Sequence, residues 1–240
     1  MPTGSLRDPE ARKAISARFD SVPAWATMRV DQLRALIWDM DGTLIDSTIV
    51  VPDAYIVTVQ ALGGITCTRE QVIDLYPLGP PANLLARLLG RPSTAADLDE
   101  YHRRLGATAT AVEPYPEIAG VLARLHGRLP MAVFTGASSR AAQVLLEATG
   151  LLRRFTAVVG GDQVDRQKPH PDGVLRACEL LGVPAQAAAY VADAPMDLVA
   201  AERAGALGIA AGWGHLYQPT APAPVVLRRP GELLELLRVA

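Results

Sequence analysis

The stretch LIWDMDGTLIDS, residues 36–47, decides the fold. An apolar run ends abruptly at Asp39, and a second acid, Asp41, follows two positions later. Residues i and i+2 of an extended segment face the same way, so the two carboxylates are expected to point toward one place. Gly42 then lets the backbone turn sharply. The stretch therefore predicts a buried strand whose carboxyl end presents two acids.

Further apolar runs of strand length follow along the chain and alternate with helical patterns. The runs, including the first, span 33–38, 130–135, 156–160, 188–192 and 206–211. Continuous apolar runs are typical of strands that are buried on both faces. One intervening helix carries Val174, Cys178 and Leu181 at i, i+4 and i+7. The alternation predicts an α/β fold with a doubly wound parallel sheet, to which residues 225–237 add one short strand and helix.

The alternation breaks once, between Ile49 and Glu113, where no buried strand is evident. Helical stretches are predicted there at 52–62, 68–76, 81–89 and 94–111. Thr68 and Gln71 fit a capping box at the start of the second stretch. We therefore expect a helical cap domain at 48–113, inserted after the first strand of a core made of 33–47 and 114–240. Residues 1–32 are expected to form an N-terminal arm that packs on the core or makes a dimer contact.

Composition limits the possible partners. A net charge of -2 gives no electrostatic footprint for nucleic acid. No apolar run approaches the roughly 20 residues of a membrane span, and the first residues lack the apolar centre of a signal peptide. Cys67 and Cys178 form neither a metal-binding spacing nor a disulfide framework. We expect a soluble cytoplasmic protein, monomeric or homodimeric, without a nucleic-acid or membrane partner.

Polar side chains follow several of the predicted strands. They are Asp39, Asp41, Thr135, Lys168, Asp193 and Asp197. Open parallel sheets bind their ligands beyond the carboxyl ends of the strands, so these side chains are expected to converge. Four carboxylates placed together raise one another's pKa, and a hard divalent cation removes that repulsion. Mg²⁺ favours oxygen ligands, which makes it the expected cofactor.

The same residues suit phosphoryl transfer. One acid of the Asp39–Asp41 pair can attack phosphorus and form an aspartyl phosphate. The other can give a proton to the leaving oxygen and later take one from water. Thr43 and Thr135 can hold phosphoryl oxygens, and Lys168 can neutralise charge as a point cation. Positioning and electrostatics of this kind are what phosphoryl transfer mainly requires.

Four segments resemble, in order, the motifs of the haloacid dehalogenase superfamily in its phosphoglycolate-phosphatase-like branch. They are DMDGTLIDS at 39–47, FTG at 134–136, KPHPD at 168–172 and VADAPMD at 191–197. The resemblance covers about 34–240 and leaves out the arm. It implies that Asp39 is the nucleophile and Asp41 the general acid and base. It also implies that Asp39, the Asp41 backbone carbonyl and Asp193 hold Mg²⁺.

The resemblance further implies the roles of the neighbouring residues. Thr135 would bind the phosphoryl group, Lys168 would bridge nucleophile and phosphate, and Asp197 would orient Lys168 or a metal-bound water. The expected substrate-binding backbone and side-chain groups are those of Gly42, Thr43, Gly136 and Ala137.

The last motif departs from the family pattern at two positions. Ala192 stands where Gly is usual, and Ala194 stands where Ser or Thr is frequent. The first change adds a methyl group near the metal, and the second removes a possible hydrogen bond. We expect the site to be retained, with slower turnover.

Within the superfamily, the residues favour a hydrolase. Dehalogenase relatives lack the second acid, here Asp41. Phosphonoacetaldehyde hydrolases need a lysine from the insert, and none lies between Lys13 and Lys168. Mutases of the β-phosphoglucomutase kind tend to carry a histidine shortly after the first motif, and 47–60 contains none. We expect a Mg²⁺-dependent phosphatase acting on a small phosphorylated metabolite such as phosphoglycolate, a sugar phosphate, a nucleotide or pyrophosphate. The alternatives are such a mutase and a non-catalytic member that binds phosphate or a protein.

Other residues near the motifs are expected to be structural. Asp46 and Ser47 fit an N-cap pair for the first insert helix. Trp213 is expected to pack after the last long strand, and Cys178 to pack in the core. The sequence assigns no partner to His102.

Overall fold

The computed structural model describes residues 30–239, so the predicted arm lies outside the described residues except for 30–32. The strands, in chain order, are β1 (Ala35–Trp38), β2 (Ile45–Asp46), β3 (Glu113–Pro114), β4 (Met131–Phe134), β5 (Ala157–Val159), β6 (Ala188–Ala192), β7 (Leu207–Ala211) and β8 (Val225–Leu227). Six of them form a parallel sheet in the order β5-β4-β1-β6-β7-β8. The predicted α/β fold class is confirmed.

The helices flank the sheet and fill the insert. In chain order they are α1 (Val50–Ala61), α2 (Arg69–Ile73), α3 (Pro81–Leu89), α4 (Ala95–Thr108), α5 (Ile118–Leu125), α6 (Ser139–Ala148), α7 (Asp172–Leu181), α8 (Pro195–Ala204) and α9 (Glu232–Leu236). Every residue of β1, β4, β6 and β7 is buried, as the continuous apolar runs predict. Because side chains alternate along a strand, Trp38 packs in one apolar layer and Ile37 in the layer on the opposite face.

Helices α1–α4 form the insert. The predicted capping box at Thr68 is present, and Thr94 begins α4 with a second one. Tyr55 of α1 stacks on Tyr101 of α4 with the ring centroids 4.3 Å apart, which joins the two longest insert helices. The chain enters and leaves the insert through β2 and β3, which pair antiparallel. We therefore propose the division into core and cap domain at this pair.

The topology brings three strand ends to one place. Strand β1 lies between β4 and β6, so the order of the strands along the chain reverses at β1. Ligands of open parallel sheets bind at such a reversal. Asp39, Thr135 and Asp193 are the first residues after these three strands. Among residues 30–239, no helix has both the length and the apolar character that crossing a membrane requires.

Candidate active site

Lys168 lies between two buried carboxylates. Its Nζ atom is 2.8 Å from Asp39 Oδ1 and 2.5 Å from Asp197 Oδ1, and the side chains of the three residues are 8%, 8% and 2% exposed. Burial disfavours the ammonium, but Asp197 and Asp39 more than offset this and raise the pKa of Lys168. Lys168 is therefore charged at neutral pH and holds the Asp39 carboxylate in place.

Tyr190 supports this ion pair from β6. Its hydroxyl lies 3.0 Å from Asp197 Oδ1 and 2.9 Å from the carbonyl oxygen of Phe134. The Lys168 ammonium also lies 4.9 Å from the centroid of the Phe134 ring. Tyr190 is not among the site residues predicted from the sequence. Side chains along a strand point to the two faces of the sheet in turn, and Tyr190 lies on the face that carries Phe134. A polar hydroxyl at this position of the apolar run 188–192 could have identified it.

Asp41 is held by hydroxyl groups. The Ser47 hydroxyl donates a hydrogen bond to Asp41 Oδ1, and Thr135 Oγ1 lies 3.5 Å from Asp41 Oδ2. Burial raises the pKa of Asp41, although the hydrogen bond from Ser47 opposes the shift. A carboxyl group with a raised pKa is suited to donate a proton.

The predicted N-cap role of Asp46 and Ser47 is wrong. The residue at the N-cap of α1 is Ile49, and no side chain caps the helix there. Ser47 turns instead toward Asp41, and Asp46 accepts hydrogen bonds from the backbone and hydroxyl of Thr48. Both residues come too early to cap the helix, because β2 ends at Asp46 and the N-cap is Ile49.

Asp193 is enclosed by backbone. A Cβ atom added to Gly42 would lie 2.2 Å from Asp193 Oδ2, and one added to Gly214 would lie 2.3 Å from Asp193 Cβ. Gly42 also has a φ angle of +79°, which side-chain-bearing residues rarely adopt. The backbone N–H of Leu216 donates to Asp193 Oδ2 at 2.9 Å. Burial raises the pKa of Asp193 to about 7.

Asp39, Asp193 and Asp197 form a group that can hold a metal ion, since each offers a carboxylate oxygen within 4.8 Å of the others. Asp193 Oδ1 is buried and has no hydrogen-bond partner among the described residues. Burial raises the pKa of Asp39 well above its usual value, although Lys168 opposes the shift. The negative charge is therefore incompletely compensated, and the all-oxygen donor set fits Mg²⁺.

A cavity of about 420 Å³ lies above these groups, between the sheet and the insert. The predicted site residues that line it are Asp39, Asp41, Thr135, Gly136, Ala137, Lys168 and Asp197. Gly42, Thr43 and Asp193 lie outside this lining. Thr43 is fully buried, and its carbonyl oxygen accepts a 3.0 Å hydrogen bond from Trp213 Nε1. The substrate-binding roles of Gly42 and Thr43 stay predictions.

The two departures in the last motif lie where β6 ends and α8 begins. Ala192 is completely buried at the end of β6. Ala194 lines the cavity and occupies the N-cap position of α8, where no side chain caps the helix. Lys168 itself precedes a cis peptide bond to Pro169.

Two side-chain contacts join the insert to the core beside this cavity. His102 of α4 lies with Nε2 2.8 Å from Ser138 Oγ, the same hydroxyl that accepts from the Ala141 backbone and caps α6. Arg140 of α6 pairs with Asp99 of α4 at 2.5 Å. Asp99 and His102 lie one turn apart on α4, so one face of that helix makes both contacts. These contacts hold the insert over the loop that carries Thr135.

The contact between His102 and Ser138 is expected to weaken in acid. Burial lowers the pKa of His102, and Arg140 adds to the shift, while Asp99 and Asp162 oppose it. The folded pKa therefore lies below the unfolded value of about 6.5, so the stability held above that pH is lost as the pH falls through the folded pKa. We expect the melting temperature to fall more steeply from pH 7 to pH 5 in the wild type than in His102→Gln, measured by circular dichroism. His126→Gln, at an exposed histidine, is the control. Identical pH profiles for the wild type and His102→Gln would contradict this interpretation.

Residues 36–211 match the sequence model of the haloacid dehalogenase-like hydrolases, and the chain therefore belongs to this family. It is 29% identical over 234 residues to a phosphoglycolate phosphatase of Chromobacterium violaceum, covering 88% of this chain and 99% of that protein. It is also 29% identical to a phosphoglycolate phosphatase of Aquifex aeolicus, covering 85% and 97% of the two chains. The predicted membership of the phosphatase branch is confirmed.

Solved structures agree with this placement. CbbY from Rhodobacter sphaeroides, crystallised with phosphate, is 26% identical and superposes with a TM-score of 0.76, covering 86% of this chain and 99% of that chain. A variant of CbbY crystallised with xylulose-(1,5)bisphosphate is also 26% identical, with a TM-score of 0.75 over 85% and 99% of the chains.

Proposed function

We propose that the protein is a Mg²⁺-dependent phosphatase that hydrolyses a small phosphomonoester through an aspartyl phosphate on Asp39. The observation that carries the proposal is the buried Asp39 carboxylate, held by Lys168 at 2.8 Å in the wall of a cavity that Asp41 also lines. The phosphate bound to CbbY and the phosphatase relatives support the same reaction class.

In the first step, a carboxylate oxygen of Asp39 attacks phosphorus, and the bond between phosphorus and the leaving oxygen breaks. Asp41 gives its proton to the leaving oxygen. Because its pKa is raised, Asp41 holds this proton more readily than an exposed acid does. Ser47 holds Asp41 in the orientation that this transfer needs. The product of the step is an alcohol and an aspartyl phosphate.

In the second step, Asp41 takes a proton from the water that attacks phosphorus, and the bond between phosphorus and Asp39 breaks. Lys168 neutralises charge on the phosphoryl oxygens, while Asp197 and Tyr190 keep its ammonium in position. Thr135 and the following loop backbone would bind the phosphoryl group. Mg²⁺ bound at Asp39 and Asp193 would supply further positive charge at this centre.

The reaction class is tested by incubating the full-length protein with Mg²⁺ and a panel of phosphomonoesters and measuring phosphate release. We expect turnover of at least one ester, and its loss on chelation of the metal. A folded, Mg²⁺-binding protein that releases no phosphate from any ester would contradict the proposal and favour a binding role.

Metal binding is expected to stabilise the fold. Mg²⁺ at about a hundredfold above its dissociation constant should raise the melting temperature by roughly 5–10 °C, because it binds only the folded cluster. Asp193→Asn should remove most of this shift, since it lowers the charge of the carboxyl group whose buried Oδ1 lacks a hydrogen-bond partner among the described residues. Asp165→Asn, at an exposed acid, is the control and should keep the shift. An unchanged shift in Asp193→Asn would place the metal elsewhere.

A further inference from the structure

The insert contributes an apolar and aromatic wall to the active-site cavity. The side chains of that wall include Val51, Tyr55, Ile73, Tyr76, Leu84 and Tyr101. The core adds further apolar groups, among them Leu145 and Met196. With a volume of about 420 Å³, the cavity is in the size range of sites for whole organic ligands. The wall therefore suits the organic part of a phosphate ester that is larger than a two-carbon acid.

Acidic side chains outnumber cationic side chains in the lining of the cavity. Among the described residues that line it, the one cationic side chain is Lys168, and both Asp39 and Asp197 already engage it. Asp74 of the insert adds a negative charge at an exposed position of the lining. The arginines of the insert lie outside the lining, and several pair with acids elsewhere. Arg69 pairs with Asp53, for example, and Arg91 with Asp97.

This distribution of charge disfavours an anionic leaving group. The carboxylate of phosphoglycolate, or the second phosphate of a sugar bisphosphate, would lose water on entering the cavity. Among the described residues, the lining offers such a group no free cation and places it near Asp74. An uncharged leaving group avoids both penalties.

Tyr76 supplies a hydrogen-bonding group within the same wall. Its hydroxyl is buried and has no hydrogen-bond partner among the described residues. The segment that carries it is seated on the core, because a Cβ atom added to Gly79 would lie 2.9 Å from Gln167 Cγ. Buried polar groups in folded proteins normally have partners, so a bound ligand is the natural partner for this hydroxyl.

We propose that the substrate is a phosphomonoester of an uncharged, mainly apolar alcohol, and that a polar group of that alcohol hydrogen-bonds to Tyr76. This inference rests on the phosphatase activity proposed above. It assigns Tyr76 to specificity and leaves the chemistry at Asp39 and Asp41 unchanged.

A matched series of esters tests the charge preference. The esters of the series share a six-carbon chain and differ only at the end far from the phosphate. They are hexyl phosphate, 6-hydroxyhexyl phosphate, 6-aminohexyl phosphate and the analogue that ends in a carboxylate. With full-length protein and saturating Mg²⁺, we expect kcat/KM for the two uncharged esters to exceed that for the carboxylate ester by about tenfold or more. Phosphoglycolate should be equally poor. Preference for the carboxylate or for the ammonium ester would overturn the proposal.

Two variants test the residues. Asp74→Lys should raise kcat/KM for the carboxylate ester relative to hexyl phosphate by about tenfold, because it replaces a negative by a positive charge at the lining. Tyr76→Phe should lower kcat/KM for the hydroxyl ester by about fivefold to tenfold and leave hexyl phosphate nearly unchanged. Equal effects of Tyr76→Phe on both esters would overturn the assignment of Tyr76.

The outcomes separate this inference from the proposed function. If phosphoglycolate is the best substrate and Asp39→Asn is inactive, the phosphatase proposal holds and the inference about the leaving group fails. If no ester is hydrolysed by a folded protein that binds Mg²⁺, both fail.

Discussion

Asp39→Asn is expected to lower phosphate release by at least about 10³-fold, because the amide cannot attack phosphorus. The substitution keeps the size of the side chain and leaves Lys168 paired with Asp197 at 2.5 Å. The loss should therefore fall on kcat, with the fold retained. Steady-state phosphate release under saturating Mg²⁺ measures it.

Asp46→Asn is the matched control for this experiment. Asp46 is an exposed acid seven residues along the same motif, and its carboxylate accepts hydrogen bonds from the backbone and hydroxyl of Thr48. Its replacement should leave kcat within about twofold, as is usual for a surface change away from the reacting atoms. If Asp39→Asn kept a large share of wild-type turnover, the covalent mechanism would be wrong.

Lys168→Met should be costly for both stability and activity. It removes the cation between Asp39 and Asp197 and leaves two buried carboxylates that repel each other. Breaking a buried ion pair in this way typically costs about 3–5 kcal/mol. We expect that loss in urea unfolding without metal, together with a drop in kcat of about 10²-fold or more from lost charge stabilisation.

Arg166→Met controls for the removal of a cation near the same loop. Arg166 is exposed and pairs with Asp172 at 2.8 Å, so its loss should cost less than about 1 kcal/mol. The double variant Lys168→Met with Asp197→Asn should regain part of the lost stability, because one uncompensated charge is removed. Equal stability of Lys168→Met and the wild type would show that the buried cation does not compensate these carboxylates.

The core of the fold could be predicted because its signals are local. Each of the four residues of β1 is both apolar and buried. The capping residue Thr68 lies where its helix begins, as predicted. The antiparallel pair β2–β3 was not predicted, because each strand has two residues and two residues carry no recognisable period.

The candidate site could be predicted in part for a related reason. Acids at strand ends are visible in the sequence, and the topology then brings them together. The contact of His102 with Ser138 joins residues 36 positions apart, and no periodic pattern marks such a pair. Ser47 was misassigned because a serine before a helix suits both a cap and a contact to Asp41. The choice between cap and contact depends on where the helix begins, and it begins after Ile49 rather than after Ser47.

In the proposed mechanism, Asp39 carries the phosphoryl group during turnover. The most direct measurement is to quench the full-length enzyme with acid while it hydrolyses a substrate in the presence of Mg²⁺, and to analyse its peptides by mass spectrometry. We expect a phosphoryl group on the peptide that contains Asp39 and at no other site, and its absence in Asp39→Asn. Steady turnover with no phosphoryl group on that peptide, or with the group on another residue, would show that Asp39 is not the nucleophile.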